Sequence, residues 1–322
     1  MNNMKRIEEH ILFKRQNTRR RQSGQAHQHT RQTIMTLYAI SLLTIAMLAG
    51  PAKSIATSNV SREYRQEPFR ICYSVDETGI PQDDSNRNGV PDRVEDIMTQ
   101  LKSVRDLFLT LGFPDPLGSE RFATVNEFVV NLVPRRKLGH NVIGRAHWGA
   151  SSNGKSIYME ISEDQDAKWS SAPVHEYFHY IQFSAMSYNR AWLLEGTARW
   201  AEDVVKDVAR QPVDTLAADV QDPYFMRAVT SSSYSSALML WRPLCAICGT
   251  ARIPDHLVRK RRYVDGTPVF EGSSIQGAAA IRNVFDCLGR NGMDVKLDKN
   301  EEDIDIMNCV RSTVQWCLSK TK

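Results

Sequence analysis

Two histidines four residues apart, His175 and His179, with Glu176 beside the first, lie in the run SAPVHEYFHYIQ at residues 171–182. On a helix, positions four apart stack on one face, so both imidazoles can reach one ion. The pattern therefore asks for a helix. Local signals agree: Ser171 stands where an N-cap belongs, and Pro173 falls in the first turn, where its missing N–H costs nothing. The five-residue motif is too short to carry an assignment alone, because histidines on helices are more often structural.

Its sequel narrows the reading. Residues 191–203 read AWLLEGTARWAED and predict a second helix over about 191–205. Glu195 then falls sixteen residues after His179, a gap that suits a turn and an antiparallel return. A carboxylate brought back to the two histidines completes a His2Glu set, the catalytic type of zinc site, in which a fourth position is left for a water whose pKa falls to about 7. Glu176, next to the first ligand, is placed to take that water's proton. The alternative makes Glu195 a surface residue. Against it, Trp192, Leu193, Leu194, Ala198 and Trp200 make this an apolar place, and burying an unpaired carboxylate is costly. A metal resolves that cost.

Upstream, residues 69–74 predict a short strand. Residues 93–111 predict a helix, with apolar side chains at Val94, Ile97, Met98, Leu101, Val104, Leu107, Phe108 and Leu111 and a stop at Gly112 and Pro114. Two β-type runs follow, at 127–133 (EFVVNLV) and 156–162 (SIYMEIS). The stretch between them, with Gly139, His140, His147, Gly149 and Asn153-Gly154, reads as loop. A strand-rich first half followed by a helical second half predicts an α+β fold, with residues 57–322 as one folded unit.

Residues 84–95 (DSNRNGVPDRVE) match the twelve-residue EF-hand loop, with Asp84, Asn86 and Asn88 at positions 1, 3 and 5, Gly89 at 6, the Val90 carbonyl at 7, Asp92 at 9 and Glu95 at 12. No helix is evident before it, so the expectation is a single half EF-hand holding calcium and fixing the start of the next helix. A solvated polar turn is the alternative. Three formal carboxylates suit a calcium-rich extracellular setting.

The net charge of +4 is unevenly distributed. Residues 1–33 carry eight Lys or Arg against Glu8 and Glu9, a net +6 that leaves −2 for the remainder. A nucleic-acid partner is not expected, because the positive charge sits in a polar tail rather than over a folded surface. The uncharged run at residues 34–50 follows this tail and precedes small residues around Ser54-Ile55-Ala56, the pattern of a signal peptide cleaved after Ala56. An uncleaved membrane anchor through 34–50 is the alternative, since about 17 residues is the short limit for a span. The chain is thus expected to be secreted or extracytoplasmic. Export makes Cys72, Cys245, Cys248, Cys287, Cys309 and Cys317 candidate disulfide partners, with connectivity open. Cys309 and Cys317 are not expected to pair with each other, because eight residues on a helix separate them by about 12 Å. Cys245-Ala246-Ile247-Cys248 lacks the strand-then-helix context of a redox site and reads as structural. The basic run at residues 259–262 reads as an exposed turn.

The residues His175-Glu176-x-x-His179 followed by Glu195-Gly196-x-Ala198-x-Trp200 resemble the gluzincin metallopeptidases. More narrowly, the chain is similar to a group of secreted bacterial metallopeptidases with an Asn-Gly-x-Pro-Asp segment, His-Glu-x-x-His-x-x-Gln and Trp-x-x-Glu-Gly-x-Ala-x-Trp. These are matched by residues 88–92, 175–182 and 192–200, and the resemblance as a whole covers about half the chain. The resemblance implies a zincin-like fold, zinc held by His175, His179 and Glu195, and Glu176 as general base and then proton donor in peptide hydrolysis, more in keeping with an endopeptidase than an exopeptidase. It also implies a Tyr or His donor to the oxyanion beyond the third ligand, for which Tyr234 is the candidate. Four residues after Glu195, where some gluzincins orient a ligand histidine with a carboxylate, this chain has Arg199; Glu202 and Asp203 are the substitutes. The run Tyr158-Met159-Glu160-Ile161 is either the edge strand that receives a peptide substrate by strand addition or a plain core strand. A non-catalytic extracytoplasmic binding or surface protein retaining the same fold is the rival to an enzyme.

Overall fold

The computed structural model describes residues 62–74, 79–139, 142–206, 219–232, 236–290 and 299–320. The basic tail, the apolar run at 34–50 and Tyr234 lie outside the described residues. Among the described residues, no helix is long and apolar enough to cross a membrane.

The protein is a mixed α+β fold around a five-stranded sheet. Its strands are β1 (Arg62–Gln66), β2 (Phe69–Tyr73), β3 (Glu127–Val133), β4 (Gly144–Ala150) and β5 (Ser156–Ser162), in the order β1-β2-β3-β5-β4. β2, β3 and β5 run parallel, while β1 and β4 pair antiparallel at the two edges. The alternation expected of a half-buried strand is realised: Phe128, Val130 and Leu132 of β3 align with Ile157, Met159 and Ile161 of β5, all buried on one face. The other face is polar and carries cross-strand pairs such as Arg70–Glu127 at 2.7 Å and Arg145–Glu160 at 3.2 Å.

The buried face is covered by α1 (Asp92–Thr110) and α2 (Ala172–Ala185), and α3 (Ala191–Ala201) packs on α2. Every side chain of α2 from Ala172 to Phe183 is buried, as expected of a helix enclosed on all sides. Tyr177 and Tyr180 meet Phe128 of the sheet at ring distances of 5.5 and 5.8 Å, and Phe178 meets Phe108 of α1 at 5.1 Å. The second half is helical among its described residues: α4 (Pro223–Thr230), α5 (Arg242–Ile247), α6 (Asp255–Lys260), α7 (Ala278–Gly289) and α8 (Lys299–Lys320), with a small hairpin of β6 (Thr250–Arg252) and β7 (Ser274–Gln276).

Two disulfides tie α8 to its neighbours, Cys248–Cys317 and Cys287–Cys309. Cys309 and Cys317 each find a different partner, as helix geometry requires. Cys248 is bonded to Cys317 rather than to Cys245, which is buried with its sulfur 3.7 Å from the Gly277 carbonyl, so the Cys-x-x-Cys run is structural.

One expectation is corrected, and one open alternative is decided. The stretch read wholly as loop contains β4, in which Trp148 is the one residue that favours a strand among Gly, Arg, Ala and His; it forms because β5 offers it a free row of backbone groups. Consequently β5, with Tyr158–Ile161, is paired on both sides, and β4 is the edge strand.

Candidate metal centre

α2 and α3 face each other across the short link 186–190, and their facing sides carry His175, His179 and Glu195. Among the described residues, these three form the one group of potential metal-ligating His, Cys, Asp or Glu side chains whose ligand atoms all lie within 4.8 Å of one another. The Glu195 carboxylate sits between the imidazoles, 3.1 Å from His175 Nε2 and 3.8 Å from His179 Nε2. All three side chains are buried.

Tertiary packing presses α3 into this place. Gly196, next to the acid, lies under Ser236 and Trp241, and a Cβ there would collide with both. Ser236 Oγ and Trp241 Nε1 each donate to the Trp192 carbonyl, at 2.7 and 3.0 Å, and Trp241 stacks on Trp192. From the far side, Asp303 of α8 accepts from Arg190 Nε and Trp192 Nε1, both at 2.6 Å, which fixes the entry to α3.

Each histidine uses its other nitrogen on a distinct partner. His175 Nδ1 lies 2.8 Å from Glu202 Oε1, and the second oxygen of Glu202 accepts from Ser171 Oγ at 2.6 Å and Arg199 at 3.3 Å. Glu202 is thus the orienting carboxylate, whereas Asp203 pairs with Arg242 at 2.7 Å. The signal was in the sequence: seven residues on a helix return to nearly the same face, so Glu195 and Glu202 point the same way. Ser171 occupies the N-cap position but makes no side-chain cap: its backbone is not in the extended region that caps use, and its hydroxyl is turned to Glu202, to which it donates. His179 Nδ1 lies 2.7 Å from Gln182 Oε1, a contact that the motif contained but whose role only the fold reveals.

The electrostatics show what the site wants. Burial disfavours a charged His175, but the carboxylates of Glu195 and Glu202 outweigh it and push it up to about 10. Burial dominates at His179, which is held down to about 4. Glu202 is driven down to about 2, against its burial, by the His175 hydrogen bond and charge and by Arg199. Glu195 is likewise held below the usual carboxylate range despite burial, by its bond to His175 and the charges around it. Two buried carboxylates thus draw positive charge to one point, and two imidazole nitrogens with one carboxylate form a donor set that could hold a metal ion.

Glu176 lies beside the trio on the turn facing β4. Burial pushes it up to about 7, opposed by the His175 charge and by the Ala146 N–H that it accepts. Gly144 of β4 approaches so closely that an added Cβ would stand 2.5 Å from Glu176 Oε1. The edge strand and the candidate base are therefore in direct contact. Further along β4, Trp148 packs on Phe183 at 4.2 Å, and Phe183 lies parallel to the His179 ring.

No family model, curated protein or solved structure matches the chain. The site's own geometry therefore carries the functional argument.

In the loop at 84–95, Gly89 takes φ of 84°, and Asp84 accepts from the backbone N–H of Asn88 and Gly89 at 3.0 and 2.8 Å. The carboxamides of Asn86 and Asn88 both donate to Glu95, each at 2.8 Å, Asp92 accepts from Ser85, and the Val90 N–H donates to Asn88 Oδ1. Positions 1, 3, 5, 9 and 12 of the motif are thus knit into one hydrogen-bonded turn at the start of α1, with no helix over residues 79–84.

Proposed function

We propose that this chain is a zinc-dependent peptidase with a zincin-type active site, in which His175, His179 and Glu195 hold the metal and Glu176 is the general base. The observation that carries the reading is the juxtaposition of a buried His2Glu trio with an adjacent carboxylate that touches the sheet's edge strand. A structural metal site has no use for a fourth, non-ligating acid at its side, whereas hydrolysis needs one.

Zinc held there would supply Lewis acidity toward water and the scissile carbonyl. The protein's residues do the rest. Glu202 and Gln182 hold the two Nδ1 atoms and so keep both Nε2 atoms turned inward. Glu176 takes a proton from water and returns it to the leaving amine. β4, paired with another strand on one side only, would receive an extended peptide along its outer edge, a role that the sequence left as one of two readings of β5. The α2 side of β4, with Trp148 and Phe183, lines the same region.

Two disulfides among the described residues support an extracytoplasmic setting, in line with the basic tail and apolar run that begin the chain. The 84–95 loop is the proposed calcium site, with ligands from Asp84, Asn86, Asn88, the Val90 carbonyl, Asp92 and Glu95.

The test is Glu176→Gln, which keeps size and removes the base. The variant should hold about one zinc per chain while turnover on a cleaved peptide falls roughly 10²–10⁴-fold. His175→Ala should lose both. A wild-type protein that binds zinc but cleaves nothing in a broad peptide screen would favour a non-catalytic binding protein of the same fold.

A further inference from the structure

The contacts around Gln182 form a closed chain of donors and acceptors. Gln182 Nε2 donates to the Leu194 carbonyl at 2.7 Å and to Thr197 Oγ1 at 2.6 Å. Thr197 Oγ1 in turn lies 2.9 Å from the Leu193 carbonyl, one turn back along α3. All of these groups are buried, so each polar atom must be satisfied within the protein.

The directions admit one solution. A carbonyl only accepts, so the single hydroxyl proton of Thr197 goes to Leu193, and the oxygen is left to accept from Gln182. Leu194 also only accepts, so the carboxamide nitrogen must face α3. A flipped Gln182 would set its oxygen against the Leu194 carbonyl and leave two buried acceptors facing each other. Gln182 Oε1 therefore points at His179 Nδ1, 2.7 Å away, and an oxygen that only accepts requires a proton on that nitrogen. His179 Nε2 is the nitrogen left facing Glu195, 3.8 Å away.

We infer that Thr197 and Gln182 are positioning residues that lock His179 in its Nδ1–H tautomer before any metal arrives, so that the second ligand is set from the helix bearing the third. This inference rests on the metal-site reading of the trio. The two ligand histidines are then held by unlike means: His175 by the charge of Glu202, and His179 by a neutral relay whose direction is imposed by backbone carbonyls of α3. Because Leu194 adjoins Glu195 and Leu193 stands one residue further back, the relay also ties the position of Glu195 to the orientation of His179.

The experiment has two arms on the full chain. In metal-free wild-type protein, nitrogen NMR with labelled histidine should show His179 protonated at Nδ1; a bare Nδ1 with the proton on Nε2 would overturn the lock. In the second arm, zinc affinity is measured by chelator competition in Thr197→Val, which keeps the shape and removes the hydroxyl, in Gln182→Met, and in Thr197→Ser, which keeps the hydroxyl. Partners of ligand histidines typically contribute 10–100-fold in metal affinity, so Thr197→Val and Gln182→Met should weaken zinc by about that factor, with Thr197→Ser within about threefold of wild type. Wild-type affinity in a folded Thr197→Val, or equal losses in the Ser and Val variants, would overturn the positioning role. A wild-type protein that fails to bind zinc would overturn the metal reading and the positioning role together, while the tautomer arm still decides the lock. Neither arm depends on peptide cleavage.

Discussion

Gly144→Ala is the sharpest test of the contact between the edge strand and the candidate base. A Cβ at this position would stand 2.5 Å from Glu176 Oε1, 2.7 Å from its Cγ and 2.9 Å from its Cδ. Carbon contacts settle near about 3.5–4.0 Å, so the carboxylate or the strand must give way by roughly 1 Å. Neither has an easy retreat: Glu176 is buried and accepts from the Ala146 N–H, and β4 is tied to β5. Gly144 is not among the residues of positive φ, so alanine brings no backbone strain and the effect is the methyl group's own. Misplacing a reacting group by about 1 Å can cost on the order of 10²-fold in rate. The expected result is a fall of that size in kcat/KM with zinc content unchanged, because the three atoms nearest the added methyl all belong to Glu176, which is not a proposed metal ligand. The assay pairs peptide cleavage with metal analysis of the same preparation, and thermal denaturation excludes misfolding. A folded Gly144→Ala protein with activity within about threefold of wild type would refute the proposed placement of Glu176 in the reaction.

Other expectations follow from the same geometry. Glu202→Gln removes the charge facing His175 Nδ1 and should weaken zinc roughly ten-fold or more by chelator competition, whereas Asp203→Asn, which faces Arg242, should leave zinc affinity near wild type. Buried Asp96, which accepts from the Val264 N–H, is raised from 3.8 to about 6 by burial, opposed by that N–H and by Lys168. A folded-state pKa above the unfolded one means that its stabilising effect is full below about 3.8 and is lost as pH rises through about 6, a change on the order of 3 kcal/mol. Urea denaturation should show that slope in the wild type and not in Asp96→Asn; equal slopes would exclude Asp96 as its source. Added calcium at about 100 times Kd should stabilise the wild type by about 2.7 kcal/mol by mass action but not Asp84→Ala, and identical melting shifts in the two would mark the 84–95 loop as a simple turn.

Much of this architecture was legible before folding because it is written in local periodicity. The apolar spacing of 93–111 became α1 (Asp92–Thr110), and the two β-type runs became β3 and β5 with the expected ends. The spacing of His175 and His179, and the run around Glu195, placed three side chains on two helices that do face each other. In each case the information sits within a few residues, where one turn or one pleat decides which side chains share a face.

What the sequence could not settle depends on partners distant along the chain. β4 has only a weak strand signature of its own, in Trp148, and it is a strand because β5 lies beside it. The choice of Glu202 over Asp203, the pairing of Cys248 with Cys317 and of Cys287 with Cys309, and the diversion of the Ser171 hydroxyl from capping to Glu202 are all selections among chemically equivalent candidates. The direction of the Gln182 amide is of the same kind, being set by carbonyls on another helix. A sequence supplies residues able to donate, accept or bond, but which of them meet is decided by packing, because a buried polar group must find its partner wherever the closed core has put one.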